Sequence, residues 1–143
     1  MNVLAGIDGH IALQLVAAIV LGLPTAWNRE MHGQALGLRT FPLVSLGACA
    51  YVLIGHQFIG ANNPEAMARI MQGLLSGIGF VGGGAILKHD DHVEGTASAA
   101  SIWITGAVGA AVGFGLWGLA IALSLLNLAA MWALGRVKRR RAG

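Results

Sequence analysis

The stretch TASAASIWITGAVGAAVGFGLWGLAIALSLLNLAAMWAL, residues 96–134, runs for 39 residues without an Asp, Glu, Lys or Arg. A membrane-spanning helix needs about 20 mostly apolar residues. The block is therefore twice the length of one span and must fold back on itself, with the turn expected at Gly113, Phe114 and Gly115. Working outward toward the N-terminus, three more stretches meet the same criterion, at residues 11–27, 41–59 and 67–87. Five spans account for nearly the whole chain. What remains is a short leader with Asp8, a polar segment at 28–40, small connections at 60–66 and 88–95, and a basic end. The expected class is all-α, an integral membrane bundle of five transmembrane helices. Residues 1–135 form the transmembrane domain and 136–143 a basic cytoplasmic tail.

Composition agrees with that reading. Of 143 residues, 56% are apolar and only 10% charged, whereas an ordinary soluble domain carries about 25% charge. A net charge of +3 does not signal nucleic acid, because five of the nine basic residues (Arg136, Lys138, Arg139, Arg140 and Arg141) sit together at the end. A single cysteine, Cys49, rules out a disulfide framework. The first span is read as a retained helix rather than a cleaved signal peptide, since no Lys or Arg precedes it and no small-residue cleavage site follows. Positive charges stay on the cytoplasmic side. With five spans and the tail inside, Arg29, Arg39, Lys88 and the five tail residues are inside and only Arg69 is outside. The N-terminus is thus expected out and the C-terminus in. Trp27, Trp117 and Trp132 lie near span ends, where aromatic rings favour the headgroup zone.

The 22 glycines concentrate in the third span, around Gly73, Gly77, Gly79, Gly82, Gly83 and Gly84. Gly77, Gly79 and Gly82 spell the dinucleotide-loop pattern, but no strand precedes it, no amphipathic helix opens from it and no acid stands about 20 residues on. Close helix packing is the better reading, because Gly73 with Gly77, Gly79 with Gly83, and Gly109 with Gly113 have the four-residue spacing that lets backbones approach. A locally unwound helix lining a polar cavity is the other option. Either reading places this span at the centre of the bundle and leaves room for a homodimer contact.

Polar residues inside or at the edge of a membrane carry the functional signal, because a charge at the bilayer centre costs at least about 2.5–3.5 kcal/mol. The candidate cluster is Arg29, Glu30, Arg39, Thr40 and Arg69. Glu30 with its arginine neighbours either forms a charge-compensated group at the cytoplasmic boundary or simply faces water and headgroups. Arg69 starts from the opposite face, which forbids a direct meeting with the others unless helices are short or strongly tilted, and it is placed to snorkel. Asp90, Asp91 and Glu94 offer the oxygen ligands that magnesium prefers, as weak ion-site candidates. His89 and His92 lack a nearby third ligand. No nucleophile stands beside a base, and Ser76, Ser98 and Ser101 lie in apolar helices where hydroxyls bond backbone or a neighbouring helix. No enzyme and no cofactor are expected, magnesium apart.

The strings Asn28-Arg29-Glu30, Gly37-Leu38-Arg39-Thr40, Arg69-Ile70 and Ser76-Gly77-Ile78-Gly79-Phe80-Val81-Gly82, then Gly95 followed by Ala99-Ala100-Ser101-Ile102-Trp103, resemble the MgtC/SapB family in order and spacing over nearly the whole chain. The resemblance implies a five-helix bacterial inner-membrane protein associated with adaptation to low magnesium and, in some pathogens, with survival inside host cells. The positions it carries over are Arg29, Glu30, Arg39, Thr40, Arg69, the glycines from Gly77 to Gly84, and Gly95. The chain departs from the family pattern at Asn28, where a second acid is usual, and at Thr96-Ala97-Ser98, where Leu-Thr-Thr is usual. It is also expected to lack the soluble C-terminal domain of better known members.

Two functions follow as expectations. One is a regulatory protein that binds another membrane protein and modulates ion (magnesium) or energy homeostasis. The alternative is a magnesium transporter or channel, motivated by Glu30 and the acidic loop beside glycine-interrupted helices. The partners expected are the lipid bilayer, another membrane protein and a second copy of the chain, with no nucleic acid.

Overall fold

The computed structural model describes residues 8–32, 37–59, 63–89 and 92–141. Five helices follow one another: α1 (Gly9–Met31), α2 (Thr40–Ile59), α3 (Pro64–Gly84), α4 (Thr96–Gly113) and α5 (Trp117–Arg141). The long apolar block breaks where the turn is expected. There Gly115 takes a left-handed conformation (φ 73°), a region that favours glycine. The third helix begins and ends three residues earlier than the hydropathy of its sequence suggests. Its start is fixed by the Asn63 side chain, which accepts a hydrogen bond from the Ala66 N–H at 3.0 Å, and by Pro64 in the first turn.

The segment expected as a plain connection between the third and fourth helices contains a short antiparallel hairpin, β1 (Leu87–His89) with β2 (His92–Glu94), in the register Leu87 to Glu94 and Lys88 to Val93. The described residues are otherwise all-α. Among the described residues three helices, α1, α2 and α4, are long and apolar enough to cross a membrane. In α5 the apolar part, Trp117–Ala133, is shorter, and α3 carries Glu65 and Arg69 in its first two turns. Helix α5 continues through the basic residues to Arg141. Arg136 lies 3.8 Å over the Trp132 ring, a cation–π contact.

The centre of the bundle is α4, not the glycine-rich α3. Eleven of the eighteen residues of α4 are buried, and it packs against each of the other helices. The rest form an arc around it in the order α5, α1, α2, α3. In α3 only Ile78 and Gly82 are buried. The reason lies in side-chain size on the facing surfaces: Gly106, Gly109 and Gly113 of α4 meet Ile78, Ser45 and Val52 directly, so α4 can be approached from several sides at once.

Polarity is arranged opposite to that of a water-soluble bundle. Buried inside are Gln14, Thr25, Ser45, Ser98, Ser101, Thr105, Ser124 and Asn127, while Phe58 is 83% exposed and Phe80 86% exposed. Apolar rims and polar interiors suit lipid as the solvent, where interior polar groups bond across helices.

Candidate functional site

The alternating course of the helices brings the C-terminal ends of α1, α3 and α5, the N-terminal ends of α2 and α4, and the hairpin to one end of the molecule. Arg29 stands in the last turn of α1, where positive charge is favoured by the helix dipole. It is buried, and its Nη2 donates a hydrogen bond to Ser98 Oγ in the first turn of α4. A buried charge must be bonded to be tolerated, so Arg29 ties α1 to α4.

Its neighbour Glu30 is exposed and serves a different contact. Glu30 Oε2 accepts the Leu38 N–H at 3.2 Å, which fastens the chain just before α2. The same oxygen occupies the space that a side chain at Gly37 would need. Only glycine at 37 leaves the carboxylate its seat. Thr40, the first residue of α2, donates its N–H to the Gly37 carbonyl at 3.1 Å, and Arg39 beside it is exposed.

Ser98 is held in place by the start of α4. Gly95 is left-handed (φ 84°), and a Cβ there would overlap the Ala85 carbonyl oxygen, so the hairpin returns closely to the end of α3. Glu94 is exposed at the hairpin. Asp90 and Asp91 lie outside the described residues. Among the described residues no three His, Cys, Asp or Glu come close enough to hold a metal ion.

Arg69 is exposed at the far end of the bundle, in the second turn of α3. Fifteen residues of helix separate it from Gly84, roughly 22 Å at the rise of an α-helix. The structure therefore joins Arg29 to the start of α4 and Glu30 to the entry of α2, and leaves Arg69 apart. The glycines divide in the same way. A Cβ at Gly82 would stand 3.3 Å from the Ala99 carbonyl oxygen; at Gly109 it would overlap the Ser45 carbonyl; at Gly113 it would come within 2.7 Å of Val52 Cβ. Gly73, Gly77, Gly79, Gly83 and Gly84 face open space, with nothing within 4 Å of such a Cβ. Gly22 against Phe41 and Pro42, and Gly106 against Ile78, are close approaches that sequence reasoning missed. Gly106 could have been found, since it stands three residues before Gly109 on the same helix.

Also missed were two amides inside apolar runs. Gln14 Nε2 donates to the carbonyls of Val112 (2.7 Å) and Gly113 (3.2 Å), which lie at the end of α4. Ser101 Oγ donates to Asn127 Oδ1 at 2.8 Å, Asn127 Nδ2 donates back to the Ser101 carbonyl at 3.3 Å, and Thr105 Oγ1 donates to that carbonyl at 2.8 Å. Ser124 Oγ donates to the Leu21 carbonyl at 2.7 Å and links α5 to α1. A single amide in an uncharged span is itself the signal, because it is costly in lipid unless bonded.

The MgtC family model matches residues 15–140. Protein SrpB of Synechococcus elongatus is 33% identical over 140 residues, covering 90% of this chain and 77% of that protein. The protein slr0014 of Synechocystis sp. is 38% identical over 122 residues, 85% of this chain and 51% of that one. Protein MgtC of Salmonella typhimurium is 33% identical over 118 residues, 82% of this chain and 49% of that protein. The chain thus spans about half the length of the last two. No solved structure matches significantly.

Proposed function

The chain belongs to the MgtC family, and from that premise we propose that it is a non-enzymatic regulator in the bacterial inner membrane. It crosses the membrane five times, N-terminus out and C-terminus in, and modulates ion (magnesium) or energy homeostasis by binding another membrane protein. The observation that carries the reading is where charge sits. Asp8, Glu30, Glu65 and Glu94, the acids among the described residues, are all exposed and stand at or near helix ends. The interior between those ends is closed by neutral side-chain bonds and by α4 backbone lying directly on α2 at Gly109. Magnesium sheds its water reluctantly and takes oxygen ligands, usually carboxylates. An interior of this kind supports a rigid plug with a charged end better than a magnesium path.

The charged end supplies the binding surface. Arg29 and Glu30 fix the backbone there, and exposed Arg39, Lys88 and Glu94 face outward from it. A growth defect in low-magnesium medium on deletion is the expected phenotype. Co-purification from native membranes in mild detergent should recover one stoichiometric membrane protein with the wild-type chain and less of it with Glu30→Gln. Recovery of no such partner, together with magnesium flux in proteoliposomes that Glu30→Gln abolishes, would replace this reading with the transporter.

A further inference from the structure

Helices α2 and α3 touch near one end of the bundle and part toward the other. At the far end a Cβ on Gly55 would meet Met67 and Ile70 at 3.0 Å. Further along, Gly47 of α2 and Gly73 and Gly77 of α3 have nothing within 4 Å. Between them lies an open groove of about 790 Å³, lined along α2 from Arg39 to Tyr51 and along α3 from Ile70 to Val81. Its walls are almost wholly apolar, and its charged group is Arg39, at the end beside the first turn of α2. Arg39 is exposed and makes no ion pair among the described residues.

We infer that this groove holds one phospholipid with an anionic headgroup, its phosphate at Arg39 and one acyl chain along Gly47, Gly73 and Gly77. The inference rests on the membrane-spanning reading above and adds a ligand that the reading does not name. Two features select the occupant. From Arg39 to Tyr51 is twelve residues of backbone, about 18 Å, and one leaflet is about half of the roughly 30 Å hydrocarbon core. The groove thus runs from headgroup level to about mid-bilayer. The second feature is charge: a lone guanidinium with the Thr40 hydroxyl and the positive end of the α2 dipole complements a phosphate, whereas a second copy of the chain would bring its own Arg39 or an apolar face to the same end.

The glycines make the groove testable without disturbing the fold. Since a Cβ at 73 or 77 meets no atom, Gly73→Leu/Gly77→Leu should fill the groove and leave the bundle intact. Gly79→Leu/Gly83→Leu, equally open but outside the lining, is the matched control. Native mass spectrometry of the detergent-purified chain, titrated with phosphatidylglycerol or phosphatidylcholine of identical chains, reads the outcome. The wild type and the control should retain one phosphatidylglycerol in preference to phosphatidylcholine. Arg39→Gln should weaken the phosphatidylglycerol adduct by about fivefold, the factor one basic residue contributes near an anionic surface. The groove-filling pair should lose both lipids. Equal retention by the groove-filling pair would mean general annular lipid and overturn the inference. So would a dimer mass, lipid-free, that only the groove-filling pair abolishes. The assay involves neither a protein partner nor magnesium flux, so its failure and that of the regulator reading are separable.

Discussion

Arg29 and Glu30 are adjacent in sequence and opposite in charge, yet each acts on a different part of the molecule. In the sequence the Arg-Glu pair stands out by its place at a span edge. That one side chain turns inward to Ser98 while the other turns to the Leu38 N–H was not legible, because it depends on which face of α1 meets α4. Ser98→Ala removes one acceptor of a buried guanidinium. A hydrogen bond to a charged group contributes about 1.5–3 kcal/mol, so the thermal midpoint in detergent should fall. An unchanged midpoint would mean that Ser98 does not support the charge. Gly109 offers a steric counterpart. Gly109→Ala puts a methyl into the Ser45 carbonyl and must push α2 from α4, with an expected loss of about 1–3 kcal/mol for overpacking. Gly83→Ala, with open space at its Cβ, should leave the melting transition unchanged or raise it slightly. Equal effects at both positions would show that the close approach at Gly109 is not what limits the residue there.

At the scale of elements, the sequence located every helix, to within four residues except at the end of α5, which runs seven residues past the apolar block, because uncharged length is a direct consequence of the solvent. It misjudged which helix is central. Glycine spacing shows that backbones are able to approach, not that they do so; the α3 glycines at 73, 77 and 79 leave a groove instead. The interior role belongs to α4, whose glycines are fewer but face bulkier partners such as Ile78 and Val52. Strands Leu87–His89 and His92–Glu94 were missed for another reason: three-residue strands are too short to show alternation. The α4–α5 pairing rests on Asn127, which bonds Ser101 by both its oxygen and its nitrogen. Interhelical hydrogen bonds in membranes average about 0.6 kcal/mol and reach about 1.7. Asn127→Leu should therefore lower stability by about that range, and Ser101→Ala/Asn127→Leu should be no worse than the single change, since the second removes only the orphaned partner. A strictly additive loss in the double variant would show that the two side chains act independently.

For the whole molecule the decisive quantity is orientation. The distribution of basic residues bears on it. Basic residues gather at the end that holds Arg29, Arg39, Lys88 and the C-terminal turn of α5, with Arg69 alone at the other. The lipid groove proposed above opens its charged mouth at that same end, so orientation also decides which leaflet supplies the lipid. Cysteine accessibility can read this directly. The native Cys49 is buried between helices, which keeps background labelling low, and exposed positions exist at both ends: Asn63 just before α3 and Lys88 in the hairpin. In intact spheroplasts a membrane-impermeant maleimide should label Asn63→Cys at once and Lys88→Cys only after permeabilisation. The positive-inside rule is a bias on short loops near span ends, which these connections are, so the eight-to-one distribution should dominate. The reverse labelling would place Arg39 and its groove in the outer leaflet and the charged end outside the cell. Labelling of both positions before permeabilisation would mean that α3 does not span, and the Glu65 and Arg69 that lower its hydropathy would then lie together with the hairpin on one face.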